Sequence, residues 1–279
     1  MPHDPGVTER LAQFVAETRW EALEPPIVHA AKRSLMNFFA VALTGCREPA
    51  IETALQSLAT FSGGRQAAVI GRSERIDALS AAFLNAASAN VLDFCDTHVP
   101  TVIHPTAPLA PALLALGELQ HVSGRDAILA FALGQEIECR IGLAISPSHY
   151  HRGWHITATC GVFGAAAGAG KLLALNPEQM VWALGIAATQ AAGLCECLGT
   201  PAEKRRRRQC RAQRIVVGAV GGKEFHRTGR AAHRRARLFP CTCGDAAAWL
   251  SHREPRRDLG DREDRLQALS MRLRRSSGA

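Results

Sequence analysis

Three features of this sequence predict an all-α protein. Ala and Leu supply most of an apolar content of 47%, while aromatic residues reach only 5% with a single Tyr; such small and straight-chain side chains favour packed helices over strands. Apolar residues recur at helical spacing, and the alternation expected of a half-buried strand is almost absent. Short clusters of Pro, Gly, Asn and Asp separate the periodic stretches, as turns between consecutive helices require. The architecture expected is a compact helical bundle.

The elements follow in order. Thr8 is placed to cap a first helix carrying Leu11, Phe14 and Val15. Pro25-Pro26 opens a second, with Ile27, Ala30, Ala31, Leu35, Phe38 and Phe39 on its apolar face. Gly63-Gly64 and Gly71 bracket the apolar piece Ala67–Ile70, the best candidate for a strand or extended link. Asp77 begins a helix through Val91, Pro108 another through His121, and Arg125 a third through Leu143. Ile156–Leu173 reads as a helix rich in small residues. Asn176-Pro177-Glu178 supplies a cap, a first-position Pro and a first-turn acid for a last helix running to about Cys195.

Charge divides the chain near Ala202. Residues 1–202 carry 12 Lys and Arg against 17 Asp and Glu, whereas residues 203–279 carry 21 against 8. The second segment has no sustained period and too few apolar residues to offset the entropy of ordering it, so it reads as a disordered, Arg-rich tail. A nucleic-acid-binding arm is the alternative reading of Arg205–Arg208 and the repeated Arg pairs, and nucleic acid is the less expected partner. No apolar run is long enough for a membrane span, and His3, Asp4 and Glu9 do not fit the basic-then-apolar layout of a signal peptide. Nine cysteines, an odd number scattered through apolar helical text, read as reduced thiols in a cytoplasmic protein.

Two segments gather titratable residues inside otherwise apolar sequence. The first is Leu92-Asp93-Phe94-Cys95-Asp96-Thr97-His98, followed by Ile103-His104-Pro105-Thr106. If the preceding helix persists, Asp93 and Thr97 share a face; His104, before a proline, is forced into extended backbone, and Thr106 caps the next helix. The second is His149-Tyr150-His151-Arg152-Gly153-Trp154-His155, with His155 at the start of a helix. Two histidines at two helix N-termini, with Arg152 nearby, make a cradle for a small polycarboxylate, where a proton can move to or from carbon near neutral pH. The simpler reading is that Asp93 and Asp96 merely cap a helix end and that the histidines are capped or exposed. A zinc set of Cys95, His98, His104 and His155 lacks supporting spacing. Gly161–Lys171 resembles a phosphate loop, but Gly164 and Gly170 are one residue too far apart and Leu172 stands where Ser or Thr is needed; its small residues read as a close-packing surface. Cys195 and Cys197 have no matching pair and read as buried thiols.

LDFCDTH, HPTAPLAPALLALGE, GRDAILAFALGQEIECRIGLA, HYHRGWHITATCGVFGAAAGAGKLL and ALGIAATQAAGLCECLGTPA together resemble the MmgE/PrpD family of 2-methylcitrate dehydratases, cis-aconitate decarboxylases and iminodisuccinate epimerases, over residues 8–202. Cys95 stands where the family usually has a third acid. The resemblance implies a helical domain over residues 1–202, a metal-free and cofactor-free lyase site lined by Asp93, Thr97, His104 and His155, a small tricarboxylate substrate and a homodimer. It also implies an α/β lid domain and a Lys shortly after Gly-Thr-Pro-Ala. Here Lys204 stands one position late, followed by four arginines, and the lid is replaced by residues 203–279. A single-base shift after the Ala202 codon accounts for this: one back-translation then reads AKSVGVGNAARN, like the family's continuation, and the same shift near Gln267–Gly278 can give KPYPCGFVVHP, like the lid. The expectation is thus a lyase fold that removes water or CO2 from a tricarboxylate, impaired by a reading-frame error. His104 and His155 would carry the acid and base roles, Asp93 would orient a histidine and Thr97 would bind a carboxylate. An epimerase, or a non-catalytic helical dimer with a nucleic-acid-binding tail, is the alternative.

Overall fold

The computed structural model describes residues 6–197; Lys204 and the segment 203–279 lie outside the described residues. The described chain runs α1 (Val7–Glu17), α2 (Pro25–Gly45), α3 (Pro49–Ala59), β1 (Ala67–Ala68), β2 (Arg75–Ile76), α4 (Ala78–Asn90), α5 (Thr106–Gln120), α6 (Gly124–Ile145), α7 (Ser148–His151), α8 (Ile156–Leu172) and α9 (Pro177–Thr189). Short 3₁₀ turns lie at Trp20–Ala22 and Cys195–Cys197. The fold is helical, as the composition predicts. Its one described sheet is the hairpin in which β1 pairs antiparallel with β2, Ala67 opposite Ile76 and Ala68 opposite Arg75, which accounts for the extended piece expected at Ala67–Ile70.

Local chemistry sets most boundaries. The Asp77 carboxylate accepts from Ser80 N–H and the Ser123 hydroxyl from Asp126 N–H, while Asn176 and Gln179 form a reciprocal capping box. Pro25, Pro49 and Pro177 occupy the first helical turn, where a missing N–H costs nothing. Three expectations need correction. Gly6, not Thr8, caps α1, and Thr8 is buried inside its first turn. The helix expected from Pro108 begins at Thr106, so Thr106 is a helical residue whose hydroxyl turns elsewhere. Helix α9 stops at Thr189 instead of reaching Cys195, because the chain turns back through Gly193, at φ +143°, over the start of α8. Helices α3 and α7 were not expected.

Helix α8 is the axle of the domain. Every residue from Ile156 to Gly170 is buried, and α5, α6, α9 and α1 pack around it. Such enclosure demands small side chains. A Cβ on Gly134 of α6 would come within 2.7 Å of the Gly164 carbonyl oxygen, and one on Gly164 within 2.9 Å of the Gly134 carbonyl oxygen. The α6–α8 crossing therefore tolerates no side chain at its centre, and Gly161–Lys171 is a packing surface. Around it Leu109, Phe131, Leu133, Ile137, Ile141, Ile156 and Phe163 are almost wholly buried, each contributing about 1.5–3 kcal/mol of transfer free energy. Among the described residues no helix is long and apolar enough to cross a membrane. Cys46, Cys95, Cys139, Cys160 and Cys195 are free thiols, and Cys195 is half-buried rather than buried.

Candidate functional site

Helix α4 ends at Asn90, and Asp93 adopts the left-handed conformation at φ +60°, which Asp tolerates better than most residues. The helix does not persist to Thr97, so the shared face expected for Asp93 and Thr97 is not formed; both lie on the loop between α4 and α5. Asp93 is exposed there. Cys95 donates its thiol hydrogen to Ala89 O at 3.2 Å, fastening the loop back on α4.

Asp96 is the anchor of this loop. Its carboxylate accepts from the Thr106 hydroxyl at 2.5 Å and from Thr106 N–H at 3.3 Å, and the Thr106 oxygen in turn accepts from Gln135 Nε2 at 3.0 Å. Ser34 adds a further side-chain hydrogen bond. Burial pushes the Asp96 pKa up to about 6 against the opposing pull of these donors. Asp96 therefore fastens the first residue of α5 from the loop instead of capping the end of α4, while Pro105 holds the N-cap position of α5.

His98 is structural. It is 2% exposed, its N–H donates to Ile103 O at 2.7 Å, and its Nδ1 lies 2.7 Å from Thr101 Oγ1. Burial depresses its pKa to about 4, so the ring is neutral at physiological pH and serves to close the 98–103 turn.

His104 lies outside any helix, ahead of Pro105, in keeping with the proline's bar on helical backbone before it. Its N–H donates to Thr157 Oγ1 at 3.1 Å, and its ring Nδ1 lies 3.0 Å from Asp96 O and 3.2 Å from Thr97 Oγ1. Thr157 is the second residue of α8, and His155 is that helix's N-cap, its Nδ1 accepting from Ala158 N–H at 3.1 Å. The two histidine segments, more than fifty residues apart in sequence, thus meet through one threonine, and the N-termini of α5 and α8 lie side by side.

His155 is 7% exposed and held from above as well: its N–H donates to Gly193 O at 3.0 Å, and Cys195 N–H donates to Gly153 O at 2.7 Å. A Cβ at position 193 would fall 2.6 Å from the Ala158 methyl, so glycine permits this approach. Beside it the His149 ring stacks on Trp154 with centroids 6.0 Å apart, and His149 Nε2 lies 2.8 Å from the buried Thr159 hydroxyl. Burial, and then the Arg152 charge, hold the His149 pKa below its ordinary value.

Of the residues singled out in sequence, Thr97 and His104 touch, His155 stands two residues before the Thr157 that His104 bonds, Asp93 stands on the same loop as Thr97, and Lys204 lies outside the described residues. Asp96, Thr157 and Gln135 were missed as supports of His104. Asp96 lay within the quoted motif, whereas Gln135 and Thr157 carry no local signal. Among the described residues no three His, Cys, Asp or Glu side chains converge as a ligand set for a metal ion, the Cys95–His98–His104–His155 combination included.

Residues 9–219 match the family model of the MmgE/PrpD N-terminal domain. The chain is 34% identical over 198 residues to a cis-aconitate decarboxylase from Aspergillus terreus, covering 68% of this chain and 40% of that protein. It is 32% identical over 197 residues to the cis-aconitate decarboxylase-like protein oryM of Aspergillus oryzae, covering 68% and 41%. A cis-aconitate decarboxylase of Mus musculus is 29% identical over 192 residues, covering 67% and 39%. The chain thus spans about two fifths of the length of these curated relatives.

Proposed function

The chain belongs to the MmgE/PrpD family, and from that premise we propose that it is built to act as a lyase on a small tricarboxylate, with cis-aconitate decarboxylation the best-supported reaction and dehydration of a 2-methylcitrate-like substrate the nearest alternative. The observation that carries this reading is the junction at Thr157, which sets His104 and His155 at two adjoining helix N-termini. Helix N-termini favour anionic groups, because unsatisfied N–H groups and the helix dipole both point positive there. A carboxylate of the substrate would settle against them, and the imidazoles would handle the proton. In decarboxylation the bond to the departing carboxylate breaks, CO2 leaves, and the electron pair left on carbon is taken by a proton. In dehydration a proton is removed beside a carboxylate as the hydroxyl leaves. Either reaction uses the same charged ends and the same proton carrier. Thr97 and Asp93 border the pocket, and a lysine after the Gly-Thr-Pro-Ala stretch would complete it; Lys204 fills that place imperfectly.

The text after Ala202 supports a single-base shift in the gene, so turnover of the chain as written should fall orders of magnitude below that of the same gene with one base removed after the Ala202 codon, since a lid excludes water and completes catalytic groups. The test is to express both frames and follow cis-aconitate, 2-methylcitrate and citrate by proton NMR with CO2 trapping. Turnover by the repaired frame, abolished by His104→Ala, is the expected result. A soluble repaired protein that transforms none of the three sinks the proposal.

A further inference from the structure

We propose that His104 and His155 hold opposite neutral tautomers, so that His104 alone carries the proton, at Nε2, while His155 presents a fixed Nε2–H as a hydrogen-bond donor to substrate oxygen. This rests on the lyase reading above and assigns its two histidines distinct tasks.

The assignment follows from what each ring faces. The group 3.0 Å from His104 Nδ1 is the Asp96 backbone carbonyl, which can only accept. Nδ1 must therefore bear the hydrogen, and in the neutral ring the lone pair is on Nε2. The Thr97 oxygen, 3.2 Å from the same nitrogen, can share that hydrogen as a second acceptor. At His155 the partner of Nδ1 is the Ala158 backbone N–H, which can only donate. Nδ1 of His155 must bear the lone pair, and in the neutral ring the hydrogen is on Nε2. Neither partner is a side chain that can rotate away. Asp96 O is held because its own carboxylate is fastened to the first residue of α5, and Ala158 N–H belongs to the first turn of α8.

The chemistry then separates. A neutral imidazole does not give up its last hydrogen near neutral pH, so His155 polarises a carboxylate or hydroxyl without losing its proton. His104 can take a proton from carbon on Nε2, the C–H electron pair staying on the substrate; the ring becomes an imidazolium whose Nδ1–H remains on Asp96 O. In decarboxylation the same cycle runs backwards: the C–C bond breaks, its electron pair remains on the substrate carbon, and the Nε2–H of the His104 imidazolium supplies the proton, restoring the neutral ring. Solvent water then returns a proton to Nε2, so each decarboxylation consumes one proton.

The experiment is long-range ¹H–¹⁵N correlation of the full chain labelled with ¹⁵N-histidine at pH 8, with the two rings assigned by loss of their signals in His104→Gln and His155→Asn. The tautomer is read without turnover, so the result stands whether or not the chain is active. The expected spectrum shows His104 protonated at Nδ1 with an unprotonated Nε2, and His155 the reverse. His104 with its hydrogen on Nε2, or His155 with its hydrogen on Nδ1, overturns the proposal. Asn at position 155 keeps an oxygen able to cap α8, so that variant reports on the ring and not on a collapsed helix.

Discussion

The α6–α8 crossing and the loop from Val91 to Pro105 lie in one domain and are held by opposite means. At the crossing, backbones touch because Gly134 and Gly164 carry no side chain, and the surrounding grip is mostly apolar, with the buried Glu138 carboxyl against Gly164. The loop sinks Ile103 into the core and is otherwise held by hydrogen bonds: Cys95 to Ala89, Asp96 to Thr106, His98 to Thr101 and Ile103, His104 to Thr157. Packing resists deformation in every direction, whereas a hydrogen bond fixes one atom against another and leaves the rest of the residue adjustable. The difference matches the work each region has. The crossing fixes where the N-terminus of α8 begins, and the loop fixes what His104 Nδ1 faces.

Four experiments break or sharpen this contrast. The largest effect is expected at the packed region: Phe163→Ala should cost about 3–5 kcal/mol of global stability, seen as a lower urea midpoint, because a wholly buried ring leaves a cavity. A loss under about 1 kcal/mol would mean that the crossing is not tightly packed. Next is a charge set into the same core. Glu136 is 1% exposed, is bonded by Arg140 through one oxygen, and has a second oxygen without a hydrogen-bond partner among the described residues. Burial pushes its pKa from 4.5 up to about 7, the Arg140 charge offsetting only part of this. A raised carboxyl pKa means that the folded state holds the proton more tightly than the unfolded chain, so stability is greatest below about pH 4.5 and is lost as pH rises through about 7. Glu136→Gln should therefore stabilise the fold at pH 8 by on the order of 3 kcal/mol and match the parent at pH 4. Equal urea midpoints at pH 8 would place the ionised Glu136 in water.

The remaining two concern the hydrogen-bonded region. Asp96→Ala should cost about 1–3 kcal/mol by leaving the Thr106 hydroxyl and N–H without their acceptor, and it should speed amide exchange across residues 91–105 more than in α8. Uniform acceleration across both would mean that the loop is not an independent unit. The smallest effect is expected at the α8 cap: His155→Ala should cost about 1 kcal/mol and His155→Asn only a few tenths. A larger loss for Asn than for Ala would deny His155 a capping role.

How much of this was legible in sequence follows the same division. Periodicity and caps located α2, α4, α6 and α8 within a few residues, because a helix that buries one face writes that face into its spacing. The end of α9 was overrun, since Ala191 and Ala192 continue a helical composition that only the return over α8 at Gly193 interrupts. In the site, Pro105 announced that His104 would leave the helix, and Gly153 ahead of the small-residue run placed His155 at the start of the next one, though not its role as the cap. The inward turn of Asp96 was not announced: LDFCDTH could have continued α4, and only the left-handed Asp93 ends it. Gln135 and Thr157 could not be found by spacing at all, because their contacts with Thr106 and His104 are made between helices far apart in the chain.

The stitch between Gly193 and His155 has a consequence for the entrance of α8 itself. Two backbone hydrogen bonds, His155 N–H to Gly193 O and Cys195 N–H to Gly153 O, fasten residues 193–195 to it. Both run from main chain to main chain, so they hold whatever side chain stands at position 155. The first turn of α8 thus has two separate fasteners, one of backbone and one of imidazole, and the backbone one depends on Gly193, where a Cβ would fall 2.6 Å from the Ala158 methyl.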